Sequence, residues 1–153
     1  MTTNLTRLKR TQTEEMLRPY RPLARAAAPR GGWVRAIREA LGMSAAQLAA
    51  RLGVIRQSVE AYERNEANGK ITLESLNKIA GAMNCRLVYA LVPEKPFEQM
   101  QRDRAETLAN ELVKPVSHSM KLEAQAISDR EARRQREQLV QELLQGNPKK
   151  LWD

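Results

Sequence analysis

The stretch SAAQLAARLGVIRQSVEAYE, residues 44–63, decides how this chain folds. Ser44 can accept a hydrogen bond from the first turn of a helix that carries Leu48, Ala49 and Leu52 on one face. Gly53 then interrupts that helix with a residue free to adopt positive φ. Val59 and Tyr62 provide the buried face of the helix that follows. Counting from Ala45, Leu48 and Ala49 come fourth and fifth, Gly53 ninth, Val54 tenth, Val59 fifteenth and Tyr62 eighteenth. A helix-turn-helix needs that spacing: a small residue where the helices touch, glycine in the turn, apolar residues beneath the second helix. An ordinary α-hairpin with a glycine turn is the alternative.

In this register the outward residues of the second helix are Arg56, Gln57, Glu60 and Ala61. Arg and Gln at a helix N-terminus suit bidentate contacts with guanine and adenine edges. Ser44, Gln47 and Ser58 can bond phosphates. Arg64, Asn65 and Lys70 follow and can hold the flanking backbone. Plain solvation is the competing reading for each of these polar side chains. Glu60 and Glu63 oppose DNA phosphates and favour a second reading, an interaction module without specific DNA binding.

Outward from this core, Trp33, Ile37 and Leu41 recur every four residues in a helix that Gly42 ends. Asn68-Gly69 marks a turn. Thr72 can cap a further helix with Leu73, Leu76, Ile79, Ala80 and Met83 on its inner face, and Glu74 favours its positive end. The character changes at Cys85: Arg86, Leu87, Val88, Tyr89, Ala90 and Leu91 are rich in β-formers, and Pro93 stops them. A lone strand leaves backbone groups unpaired, and the chain offers no second good candidate. Pairing with the same strand of a second subunit is therefore expected, making a homodimer.

The 153 residues carry a formal net charge of +8, unevenly spread. Residues 1–32 hold seven basic against two acidic groups, residues 33–84 seven against five, and residues 94–145 nine against ten. The excess on the N-terminal side favours a polyanionic partner, and the near-neutral C-terminal third suits a protein partner. Residues 4–18 read as a helix with Leu5, Leu8, Met16 and Leu17 at intervals. It could enter a minor groove as a basic arm, or pack on a partner. Pro19, Pro22, Pro29 and Gly31-Gly32 follow as a linker. Beyond Pro96, one helix is expected from about Phe97 to Val113, ended by Lys114-Pro115, and another from about Ser119 to Gln145.

The segments are thus 1–31, a basic N-terminal arm and linker; 32–84, the helix-turn-helix domain; 85–93, a dimerising β-strand; and 94–153, C-terminal helices and a tail. The fold class is mainly α. Cys85 is the only cysteine and His118 the only histidine. No intrachain disulfide is possible, and a reducing, cytoplasmic location is expected. No signal peptide or membrane span is legible, so no membrane partner is expected. Metal-ligand clusters, phosphate-binding loops and nucleophile elbows are lacking as well. Neither enzymatic activity nor a cofactor or metal is expected.

Residues 32–69 resemble the phage repressor and Cro class, the Xre-type helix-turn-helix family. The resemblance is carried by Ile37-Arg38-Glu39-Ala40-Leu41-Gly42-Met43-Ser44, Gln47-Leu48-Ala49, Arg51-Leu52-Gly53-Val54 and Gln57-Ser58-Val59. It implies a lambda-repressor-like fold and an ion pair between Arg38 and Glu63. A longer resemblance is to the family called mobile mystery protein A, through residues 32–43, Ile71-Thr72-Leu73, residues 85–93, His118-Ser119-Met120 and Leu122-Glu123. It implies the antitoxin half of a pair whose toxin is a Fic-domain, AMP-transferring protein. Repression of its own operon at a palindromic double-stranded DNA site would follow. A stand-alone Xre-type repressor is the alternative.

Fic enzymes are inhibited in one route by a helix bearing Ser or Thr, Glu four residues on, then Gly or Asn. Here Ser119 and Glu123 are followed by Ala124, and Thr107 and Glu111 by Leu112. The last position departs from the pattern in both. An equally good expectation is that the C-terminal helices and the Leu151-Trp152 tail cover the partner in another way.

Overall fold

The computed structural model describes residues 2–122 and 129–153, with side chains for 4–113 and 129–153. The chain divides into two compact units, one comprising Pro22–Leu91 and the other Met1–Arg21 with Val92–Asp153.

Four helices make the first unit: α2 (Trp33–Ala40), α3 (Ala45–Leu52), α4 (Arg56–Ala67) and α5 (Leu73–Ala82). Local signals set several of their ends. Ser44 and Gln47 form a reciprocal capping box at α3, in which Ser44 Oγ accepts from the Gln47 N–H and Gln47 Oε1 accepts from the Ser44 N–H. Thr72 Oγ1 accepts from the Ser75 N–H at the start of α5. Gly53 ends α3 at φ 68°, and the Val54 N–H turns back to the Ala49 carbonyl. Asn84, at φ 54°, ends α5 in the left-handed region that Asn tolerates.

These helices enclose Val34, Leu48, Ala49, Val59, Ile79 and Met83, with Ile37, Val54, Tyr62 and Leu76 packed around them. The face expected for α2 is displaced. Val34 is buried, whereas Trp33 and Leu41 are more than half exposed. Leu41 is the C-cap residue, where the chain already leaves the helix, and Trp33 stands at its first turn. Leu73, expected inside, is likewise half exposed at the first residue of α5.

The expected strand does not form: among the described residues there is none, and Arg86, Leu87, Val88, Tyr89, Ala90 and Leu91 run without regular structure. A strand exists only as part of a ladder, and the described residues supply no second edge. The dimerising β-strand therefore has no support within one chain.

The second unit is built from α1 (Thr2–Leu17), α6 (Phe97–Leu122), α7 (Asp129–Gln145) and a 3-10 turn at Pro148–Leu151. Ala105 and Ala109 of α6 let α7 approach closely, and Val140 and Leu151 close the core. Arg104 Nε donates to the Leu151 carbonyl at 2.7 Å, so the C-terminal turn is part of this core. Helix α6 continues past Lys114-Pro115, where it was expected to end. Proline in a helix interior withholds its N–H and crowds the carbonyl four residues earlier, which can kink a long helix without ending it.

Helix α1 is tied to its own chain. Glu14 accepts from the Phe97 N–H at 2.8 Å and pairs with Arg21, while Arg10 bonds Glu98 and Gln101. The Phe97 N–H and, next, the Arg21 guanidinium hold the Glu14 carboxyl below the usual range. No helix among the described residues is long and apolar enough to cross a membrane.

Candidate nucleic-acid interface

The interface is assembled on α3 and α4. Leu48 and Val59 are fully buried between the helices, which sets the side of α4 that faces solvent. That side starts at once: Arg56 and Gln57, the first two residues of α4, are exposed, and Ser58 is half-buried. Ile55, the N-cap residue, offers no side-chain acceptor, and no acidic residue lies in the first turn. The Ser58 N–H bonds the Ile55 carbonyl at 3.0 Å, and the Arg56 and Gln57 N–H groups are left for an external acceptor.

Ser44 and Gln47 are also exposed. Their capping box occupies Ser44 Oγ and Gln47 Oε1 as acceptors, leaving the Gln47 amide N–H groups to donate. Arg64 and Asn65, on the last turns of α4, and Lys70 beyond it are exposed. The Lys70 N–H bonds the Asn65 carbonyl at 2.7 Å, which holds the loop against the helix end.

The orientation of α4 is secured by two carboxylates. Glu63 accepts from Arg38 Nε at 2.6 Å and from Nη2 at 3.2 Å, a bidentate pair whose side chains are 11% and 12% exposed. Arg38 Nη1 also donates to the Met43 carbonyl. The hydrogen bond that Arg38 donates to Glu63 raises the Arg38 pKa above its ordinary value against the opposing effect of burial. Glu66 bonds the Trp33 and Val34 N–H groups at 2.8 and 2.9 Å, capping α2 from 32 and 33 residues away. A Cβ on Gly32 would lie 2.6 Å from Glu66 Oε2, so glycine is required there for that carboxylate to reach α2.

Glu66 has no signal in the sequence, because its partners are remote. The bond from Arg56 Nε to Glu60 Oε1, 2.8 Å, was legible as an i,i+4 spacing but was not read. Of the residues suggested for toxin inhibition, Glu123 lies outside the described residues, and so does the side chain of Ser119; the pair cannot be placed. Among the described residues no group of His, Cys, Asp and Glu could hold a metal ion.

Residues 34–89 match the helix-turn-helix family. The chain therefore carries an Xre-type helix-turn-helix domain, and the match supports a DNA-binding regulator of that type. It covers the capping box, the Gly53 turn and all of α4. No curated protein matches the chain, and no solved structure does.

Proposed function

We propose that this protein is a sequence-specific transcriptional regulator that inserts α4 into the DNA major groove and binds a palindromic operator as a homodimer. The observation that carries the reading is the start of α4. There Arg56 and Gln57 are exposed beside uncapped N–H groups, on the second helix of a helix-turn-helix. Arg56 reads a guanine, Gln57 an adenine, and Ser44, Gln47, Ser58, Arg64, Asn65 and Lys70 contact the backbone. The acidic residues that favoured a module without DNA binding are both paired with arginine, which weakens that alternative. Neither catalysis nor a cofactor enters this reading, and the protein works in the cytoplasm.

Two-fold assembly is supported by the segment after α5. It runs beside a groove of about 430 Å3 lined by Trp33, Ile37, Leu76, Met83, Leu87 and Val88. Val88, Tyr89 and Leu91 are exposed, and residues 86–91 join no ladder. Pairing them with the same residues of a second copy satisfies the backbone and covers the apolar side chains. Sedimentation should give a dimer for the wild type and a monomer for Val88→Pro. A wild-type monomer would remove the homodimer from the reading.

The finer role is that of an antitoxin, which binds and neutralises a Fic-domain toxin and represses the shared operon. It rests on the resemblance of residues 32–43, 71–73, 85–93, 118–120 and 122–123. The C-terminal helices are the toxin-binding part. Co-expression with the neighbouring gene product, followed by mass measurement of the purified complex, tests it. A stand-alone repressor would purify alone.

DNA binding is tested by a salt series on duplexes selected from a random pool. Affinity should fall steeply as salt rises, because phosphate contacts release counterions. Arg56→Ala should cost about 1–3 kcal/mol on the selected duplex. Salt-insensitive binding, or no binding at all, would sink the regulator reading.

A further inference from the structure

We propose that Glu60 is a positioning residue that holds the Arg56 guanidinium for guanine recognition, an inference that rests on α4 entering the major groove. Glu60 Oε1 accepts from Arg56 Nε at 2.8 Å, one helical turn away. The Arg56 side chain is 67% exposed, and its Nη1 and Nη2 groups bond no described residue.

An exposed i,i+4 pair usually reflects nothing more than helix stability. Two features set this one apart. Arg56 is the first residue of α4, at the positive end of the helix dipole, where a cation is disfavoured. Its order, arginine before glutamate, is the weaker one for a helix and is shared with Arg35–Glu39 and Arg102–Glu106, so it is not what distinguishes the pair. No side-chain cap or first-turn carboxylate offsets the charge at this end, so Glu60 is its partner. The arrangement is poor for the helix and suited to presenting a guanidinium.

A guanidinium has five N–H donors in a planar fork. With Nε engaged by Glu60, the two Nη groups remain as a parallel pair, which matches guanine O6 and N7. Holding the side chain beforehand reduces the rotamer freedom lost on binding. The Glu60 carboxylate also repels phosphates, which lowers affinity for any duplex alike. Holding Arg56 therefore acts on discrimination, and the repulsion on raw affinity.

The test uses the full-length protein and duplexes selected from a random pool. The guanine whose replacement Arg56→Ala tolerates identifies the base that Arg56 reads. Binding of Glu60→Ala and Glu60→Gln is then measured on the selected duplex, on the duplex lacking that guanine, and on an unrelated duplex, at one salt concentration. Both variants should bind the unrelated duplex more tightly than the wild type, since each removes a negative charge. Discrimination at the guanine should fall about tenfold in Glu60→Ala. In Glu60→Gln it should fall less than about threefold, because the amide oxygen still accepts from Nε.

Unchanged discrimination in Glu60→Ala overturns the proposal and leaves Glu60 a solvated partner. Equal losses in the two variants overturn it too, since charge alone would then be acting. If Arg56→Ala is indifferent at every base, Arg56 reads none and Glu60 has nothing to position. Absence of salt-dependent binding by the wild type is a different failure, that of DNA binding itself. Glu60 lies on the solvent side of α4, so equal thermal midpoints for all three proteins show that the fold is intact.

Discussion

Arg38 and Glu63 form the one charged pair of the helix-turn-helix unit that is nearly removed from water. Removing one partner of such a pair strands the other as a buried charge. Glu63→Ala should therefore lower the stability of this unit by about 3–5 kcal/mol, read from denaturant unfolding. A loss below about 1 kcal/mol would place the pair with ordinary surface bridges. The partnership was legible from the resemblance, because the two positions belong to a known pattern. That of Glu66 with α2 was not, since a carboxylate that caps a distant helix leaves no local periodicity.

At the scale of elements, the turn between α3 and α4 depends on Gly53. Its φ of 68° is disfavoured for any side chain, while a Cβ there would meet nothing within 4 Å. Gly53→Ala should thus cost about 1–2 kcal/mol from the backbone alone, measured as a lower unfolding midpoint. A neutral result would mean that the turn relaxes.

The attachment of α1 to α6 makes a pH-dependent prediction. The Glu14 pKa is depressed in the folded chain, first by the Phe97 N–H. Its contribution is then complete above the unfolded value, about 4.3, and is lost as pH falls through the lower folded one. Glu14→Gln should melt below the wild type at neutral pH and together with it near pH 2. A gap that persists in acid would rule out the carboxylate charge as the cause.

Elements with strong local signals were readable: caps at Ser44 and Thr72, the Gly53 stop, and the core positions Leu48, Val59 and Ile79. Ends and faces were not always. Pro115 did not stop α6, Trp33 and Leu41 stayed outside, and β-forming residues 86–91 made no strand. In each case local propensity met a circumstance it could not report: the length of a helix, the place of a residue at a helix end, or the want of a second edge.

For the whole molecule, the C-terminal turn carries weight out of proportion to its length. Leu151 is 1% exposed among Ala105, Ala109 and Val140, although it stands only two residues before Asp153. Leu151→Ala should destabilise the α6–α7 unit by about 2–5 kcal/mol, seen as faster amide exchange in both helices. Unchanged exchange would show that this packing contributes little.

The sequence by itself determined the helix-turn-helix and the exposure of Arg56 and Gln57 at the start of α4, whereas Glu60 and Ala61, expected outward with them, are half-buried. Caps, a glycine turn and apolar spacing act within a few residues of one another, and side-chain direction follows from helical periodicity. Only the tertiary structure decided that α1 is fastened to α6, that the tail is core, that Glu66 caps α2, and that the segment after α5 finds no ladder partner among the described residues. Those outcomes depend on groups far apart in sequence, whose meeting is set by packing and by backbone hydrogen bonds that must be closed.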